Sequence, residues 1–322
     1  MRAAPSRPAR RHPVRLVLGA AGVIALTATS ACSTSSKAAP STAGSSGGSS
    51  KVIQVAVAEN FWGSIATQLG GDHVKVTSII TNPDTDPHSY EPTAADSRTV
   101  AGADYAITNG IGYDAWSDKL LAANPAAGRT ALKVADLLGK KEGDNPHQWY
   151  SAESVEKVID RITEDYKKLD PADIAYFDTQ QQAFRTKALA KYNQLEADIK
   201  ARYAGTPIGA SESIVTPLAE SLGLKMLTPE TFLDAMSEGT DPTAADKAAI
   251  DQQIGGKQIK VYVYNSQNST PDIAAQVEAA KKQGIPVATV TETLTPANAT
   301  FQDWQAQQLQ GIADALKAAT GK

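Results

Sequence analysis

The stretch Thr81-Asn82-Pro83-Asp84-Thr85-Asp86-Pro87-His88-Ser89-Tyr90-Glu91-Pro92 directly follows the alternating run Val74-Lys75-Val76-Thr77-Ser78-Ile79-Ile80. Alternation of apolar residues predicts a strand, and a polar stretch carrying three prolines predicts a stiff loop. Together they hold one imidazole at the carboxyl end of a strand. The device recurs about sixty residues later as Asn145-Pro146-His147-Gln148-Trp149. Of the four histidines, two therefore share one Asp/Asn-Pro-His-x-aromatic setting. Neutral imidazole suits zinc, copper and other late metals, so His88 and His147 are read as ligands of a single ion. The adjacent prolines fix the loop backbone and lower the entropy cost of closing on it.

Outward from these loops, the first lobe reads as βαβαβαβ. The expected elements are a strand at 52–58, a helix at 61–69, the strand at 74–80 and a helix near 94–101. A strand at 104–108, a helix near 113–122 and a strand at 130–135 complete it. This order implies a parallel sheet with right-handed crossovers, in which ligand groups belong at the carboxyl ends of strands. Glu59, Asp86/His88 and Asn109/Tyr113 stand there, with Glu59 read as a solvated strand-end acid or a partner to a histidine. His73, in Gly71-Asp72-His73 ahead of a strand, is read as a turn residue at the opposite end.

Ser151 is expected to cap a helix whose apolar positions run Val155, Val158, Ile159, Ile162, Tyr166 and Leu169. Asp170-Pro171 then restarts a helix, aspartate as N-cap and proline at its first position. Its apolar stripe continues to Tyr203, about 30 residues or roughly 45 Å, long enough to cross two lobes. In the second lobe the βα rhythm returns: strands at 206–210, 224–227, 259–264 and 285–290, and helices at 213–222, 243–254, 271–283 and 301–319. Carboxylates stand at two of its strand ends, in Ser211-Glu212-Ser213 and Thr291-Glu292-Thr293-Leu294. Two histidines from one lobe and two carboxylates from the other would make a mixed nitrogen and oxygen site. Because imidazole must be neutral to bind, affinity is expected to fall below about pH 6.5.

The amino-terminal end reads as an export signal. Residues 1–31 carry five arginines and no acid, an apolar run from Leu16 to Ala28, and then Thr29-Ser30-Ala31-Cys32. The lone cysteine stands where a bacterial lipobox would be cut, so Cys32 is expected to carry lipid and to hold the protein on the outer face of the cytoplasmic membrane. Residues 32–50 are a Ser/Gly-rich tether. Without residues 1–31, five of the 31 basic residues go and all 35 acids stay, moving the charge from −4 to −9. That argues against nucleic acid or an anionic membrane face as partner. The expected domains are 51–170, a connecting helix at 171–205, and 206–322.

These motifs together resemble the zinc/manganese solute-binding lipoproteins of bacterial ABC importers (cluster A-I, the zinc-uptake binding protein family). The resemblance covers Asp86-Pro87-His88, Asn145-Pro146-His147-Gln148-Trp149, the long helix, Ser211-Glu212 and the Thr291-Glu292 turn. It implies an α/β fold of two parallel-sheet lobes bridged by one rigid helix, with a metal cleft between them. It also implies a monomer that delivers zinc, or alternatively manganese, to the transmembrane subunit of an ABC permease, and that is not an enzyme. His88, His147 and Glu212 match family ligands. At the fourth position the family usually has aspartate and this chain has Glu292, which keeps the charge and lengthens the reach. The His-rich insertion of many zinc members is missing after Pro92, which tilts the balance toward manganese. The rivals are a secreted zinc-dependent hydrolase, with Glu59 or Glu292 as base, a surface adhesin, and the same fold holding an iron chelate or a vitamin.

Overall fold

The computed structural model describes residues 51–322. The signal, Cys32 and the tether expected from the sequence lie outside these residues.

Strands β1 (Ile53–Glu59), β2 (Val74–Ile80), β3 (Tyr105–Thr108) and β4 (Thr130–Lys133) form one sheet, ordered β2-β1-β3-β4 and parallel throughout. β1 is buried along nearly its whole length, as a strand covered on both faces must be. Helix α1 (Asn60–Gly70) starts directly from its end. It lies so close to β2 that a Cβ on Gly63 would stand 2.1 Å from the Ser78 hydroxyl. Helices α2 (Ala94–Ala101) and α3 (Ala115–Ala123) follow. The expected strand at 130–135 stops at Lys133, because α4 (Val134–Leu138) takes over and closes on Gly139 at φ +64. Helix α5 (Ala152–Leu169) carries the expected cap, Ser151 Oγ accepting from Ser154 N, and buries Val155, Val158, Ile159, Ile162 and Tyr166.

The connector departs from the expectation in two ways. Asp170 makes no side-chain cap, and a short 3-10 turn, Pro171–Asp173, precedes α6 (Ile174–Ala183). The long helix is also not continuous. A π-turn at Phe184–Ala188 separates α6 from α7 (Ala190–Tyr203), with Leu189 N bonding to Phe184 O at 2.9 Å. α6 packs on α5 and α1 of the first lobe, whereas α7 packs on the second.

The second lobe repeats the first. Strands β5 (Pro207–Ala210), β6 (Lys225–Met226), β7 (Val261–Asn265) and β8 (Val287–Val290) run parallel in the order β6-β5-β7-β8. Helices α8 (Val215–Leu222), α9 (Glu230–Ser237), α10 (Ala244–Gly255), α11 (Pro271–Lys282) and α12 (Phe301–Thr320) accompany them. α9 lies outside the helices the sequence predicts, and Phe232, Leu233 and Met236 give it a buried face.

The lobes share one apolar core, which runs from Val55 and Trp62 through Trp149 and Tyr192 to Val263 and Trp304. α12 packs against α7 and β8 and also touches α1. There, Gln68 and Gln302 exchange amide hydrogen bonds of 3.0 and 2.7 Å, and Ser64 Oγ accepts from Phe301 N at 2.9 Å. The lobes are joined by packing as well as by chain, so a wide hinge motion would expose core.

Candidate metal centre

In each sheet the strand order reverses beside the first strand, and the chain leaves the carboxyl ends of the central strands on opposite sides of a crevice. The two histidine loops are built alike. Asp86 Oδ1 accepts from His88 N at 2.9 Å and lies 3.1 Å from its Nδ1, while Ser89 Oγ donates to Asp86 Oδ2 at 2.8 Å. Asn145 Oδ1 lies 3.0 Å from both His147 N and His147 Nδ1. In both loops the side chain two residues upstream holds the ring by Nδ1 and leaves Nε2 for another partner. The proline carbonyls are tied down as well, Pro87 O by Trp116 Nε1 at 3.1 Å and Pro146 O by Asn109 Nδ2 at 3.0 Å.

His147 is buried, and its Nε2 lies 3.8 Å from Glu292 Oε1. Tyr113 backs both rings, edge-on at 4.8 Å from His88 and 6.0 Å from His147, while Trp149 stacks on Phe61 at 4.0 Å behind them. From the second lobe, Glu212 is buried at the end of β5. Its Oε2 accepts from Asn265 Nδ2 at 2.9 Å, and its Oε1 has no partner. Glu292 follows β8, and Gln267 Oε1 holds its turn by accepting from the Glu292 and Thr293 amides at 2.6 and 3.0 Å. Asn145 Nδ2 reaches across the crevice to Ser213 O at 2.7 Å, so the His147 loop is anchored to both lobes.

His88 borders two cavities. One, of about 210 Å³, it shares with Asp86, Glu238, Asn268 and Glu292, and the other is a groove of about 730 Å³ between the lobes. His88 and Glu292 line the smaller cavity, His147 and Glu212 are buried and line neither, and the four side chains do not converge on one point. Among the described residues, no three of them bring ligand atoms within 4.8 Å of one another. Ligands of a tetrahedral zinc ion stand roughly 3.3 Å apart, so the four do not form a ready-made tetrahedral shell.

Charges fit this arrangement. Hydrogen bonding to His88 holds Asp86 down at about 2. Burial works to lower His88, but Asp86 and Glu292 outweigh it and its pKa is raised. Burial lowers His147, which is therefore neutral at pH 7. Burial, with Glu292 nearby, pushes Glu212 up to about 8. A proton on Glu212 thus opposes a cation as well as one on imidazole, and the pH expectation drawn from imidazole alone is corrected by adding this carboxyl. A sequence cannot show that correction, because it depends on how deeply Glu212 is buried.

Glu59 differs from its reading as a solvated acid. It is wholly buried, neither of its oxygens has a hydrogen-bond partner, and burial with Asp114 nearby raises its pKa well above the ordinary value. Asp114 itself binds the Asn109 and Gly110 amides at 2.9 and 2.6 Å, bracing the turn that carries Tyr113. Asn265 and Gln267, which fix the two carboxylates, were not singled out from sequence. Their signal is the strand-end position, repeated after β5, β7 and β8. Asn268, on the same strand end, donates its amide to Met236 O at 3.3 Å.

Residues 55–315 match the protein-family model described as zinc-uptake complex component A, periplasmic. The chain is 29% identical over 203 residues to the iron-binding protein YfeA of Yersinia pestis, covering 59% of this chain and 60% of that protein. It is 25% identical over 241 residues to the manganese-binding lipoprotein MntA of Bacillus subtilis, covering 72% and 77%. The manganese-bound periplasmic metal binding protein of Candidatus Liberibacter asiaticus superposes with a TM-score of 0.67 at 22% identity, covering 81% of this chain and 98% of that one. That likeness establishes the shared fold.

Proposed function

Because the chain belongs to the family of zinc-uptake complex component A, periplasmic, we propose that it is an extracytoplasmic binding protein that captures a divalent metal ion and delivers it to an ABC permease. Zinc is the first choice of cargo and manganese the second. The proposed ligands are His88, His147, Glu212 and Glu292. The observation that carries this reading is the repeated loop device, in which Asp86 and Asn145 each hold a ring by Nδ1 and leave Nε2 for another partner, that of His147 lying 3.8 Å from Glu292 of the other lobe. The unpartnered Oε1 of Glu212 supports it, since a buried acceptor with nothing to accept from is costly unless a cation visits.

Two imidazoles and two carboxylates suit zinc by affinity order and admit manganese by their oxygen content. The relatives are named for iron and manganese and the family for zinc, and this mixed donor set admits each of them. Capture and release need no bond-making chemistry. With the lobes sharing a core, they proceed through the 81–92 and 145–149 loops and the Glu212 and Glu292 turns. Lipid attachment at Cys32 would keep the protein beside its permease.

Equilibrium dialysis followed by metal analysis tests this. His88→Ala and His147→Ala each lower zinc and manganese affinity by orders of magnitude while far-UV circular dichroism is unchanged. Undiminished binding by both variants would refute it. Competition between the two metals on the wild-type chain then ranks the cargo.

A further inference from the structure

A second group of metal-ligand side chains lies at the far pole of the first lobe. His73 stands just before β2, whereas the His88 loop leaves the other end of that strand, seven residues on and roughly 20 Å away. His73 Nδ1 lies 3.1 Å from Asp173 Oδ2 and 3.7 Å from Asp170 Oδ2. One ligand atom from each of the three residues lies within 4.8 Å of the other two, the one such trio among the described residues. A tetrahedral zinc ion bound at 2.0–2.2 Å spaces its ligands roughly 3.3 Å apart, so the two histidine–aspartate separations are close to those of a bound ion's face.

Two further observations mark the trio as more than neighbouring charges. His73 Nδ1 and Asp170 Oδ2 are both shut off from solvent, and neither has an aligned hydrogen bond, although they face one another. Asp170 also declines the helix cap its position offers, its carboxylate turning to the histidine. The ring is held in place from outside. Tyr176 stacks on it at 4.0 Å, Phe177 meets it edge-on at 5.7 Å, and Tyr176 Oη accepts from Asp72 N at 3.1 Å. Tyr176 lies so tightly over the turn that a Cβ on Gly71 would come within 2.1 Å of its hydroxyl, at a residue already at φ +50. The cradle presents Nδ1 to the two aspartates and prevents the ring from turning away.

We propose that His73, Asp170 and Asp173 form a second divalent-cation site, separate from the cleft, that takes zinc through one imidazole nitrogen and two carboxylate oxygens with water completing the shell. Bound there, the ion pins the α1–β2 turn to the corner where α5 gives way to the connector. With one imidazole in place of two, the site is weaker than the cleft, and it does not depend on the cleft reading.

The test uses the full chain and zinc alone. The wild type binds two ions per chain, and His73→Ala or Asp173→Asn binds one with cleft affinity unchanged. The double variant His88→Ala/His147→Ala keeps one weakly held ion, and zinc still raises its melting temperature. Adding His73→Ala removes both effects. A folded double variant that binds no zinc, or a residual ion that survives the added His73→Ala, overturns the proposal. If the double variant fails to fold, the stoichiometry of His73→Ala in the otherwise intact chain decides, and two ions per chain there refutes the site. Failure of the cleft reading is distinguishable, since it leaves binding unchanged in His88→Ala and His147→Ala themselves.

Discussion

Replacing Glu212 by glutamine should make the metal-free protein more stable as the pH rises, while abolishing cleft binding. In the folded, metal-free state Glu212 ionises at about 8, against an ordinary value of 4.5, because burial and the nearby Glu292 charge disfavour its anion. Between those values the folded chain holds a proton that the unfolded chain has released. Stability from this group is therefore complete below pH 4.5, declines through the window, and is gone above about pH 8. At 1.36 kcal/mol per pH unit, the interval from pH 5.5 to 8 removes about 3 kcal/mol. Glutamine carries no proton equilibrium and keeps an oxygen for the Asn265 amide, so its own curve lacks this slope. It leaves one amide poorly partnered, a pH-independent cost of about 1–3 kcal/mol. The readout is thus the difference between the two proteins as a function of pH, from urea denaturation with chelator present. That difference should move by about 3 kcal/mol in favour of the variant, equivalent to roughly 5 °C in melting temperature for a chain of this size. Glu59 and Asp114, also raised by burial, contribute equally to both proteins and cancel. A flat difference, or a variant that loses ground as pH rises, would refute the burial argument. Zinc should stabilise the wild type strongly and the variant far less.

Binding should itself release protons. Zinc affinity is expected to fall about tenfold per pH unit just below pH 8 as Glu212 takes up its proton, and more steeply wherever His88, also raised, is protonated too; calorimetry in buffers of differing ionisation enthalpy counts the protons. Asn145→Ala removes both the Nδ1 anchor and the bond to Ser213 O, and should weaken zinc binding about 10–100-fold in chelator competition. Asn145→Asp, which keeps the anchor alone, should lose less. Trp149→Ala removes a fully buried ring stacked on Phe61 beneath the site, and should cost about 3–5 kcal/mol in chemical denaturation.

What could be read from the sequence was local in the chain. The Asx-Pro-His loops declare themselves because the anchoring side chain, the proline and the ring lie within three residues. The two sheets follow from apolar runs punctuated by glycine and proline. Glu212 and Glu292 were legible as strand-end acids once the βα rhythm was fixed. What escaped depends on contacts distant in sequence or on short elements. α9 offers only eight residues, though Pro229, Glu230 and the Phe232–Met236 spacing were its signal. The burial of Glu59 reflects the covering of β1 by other segments, and nothing in Ala58-Glu59-Asn60 announces it. Asp170 looked like a cap because Asp-Pro opens many helices; its pull toward His73 arises from residues almost a hundred positions earlier. The π-turn has no composition of its own, so an apolar stripe that continues to Tyr203 does not announce it.

That turn has a consequence for how such proteins can be recombined. An extra residue in a helical coil rotates everything after it by roughly 100°, so the backbone upstream of Phe184 and downstream of Ala188 is phased separately. Phe177 and Phe184 seat themselves in one half, while Tyr192, Leu195 and Ile199 seat themselves in the other. The joint acts as a natural splice, at which halves from different relatives could be exchanged without forcing a single helical face to satisfy two unrelated partners.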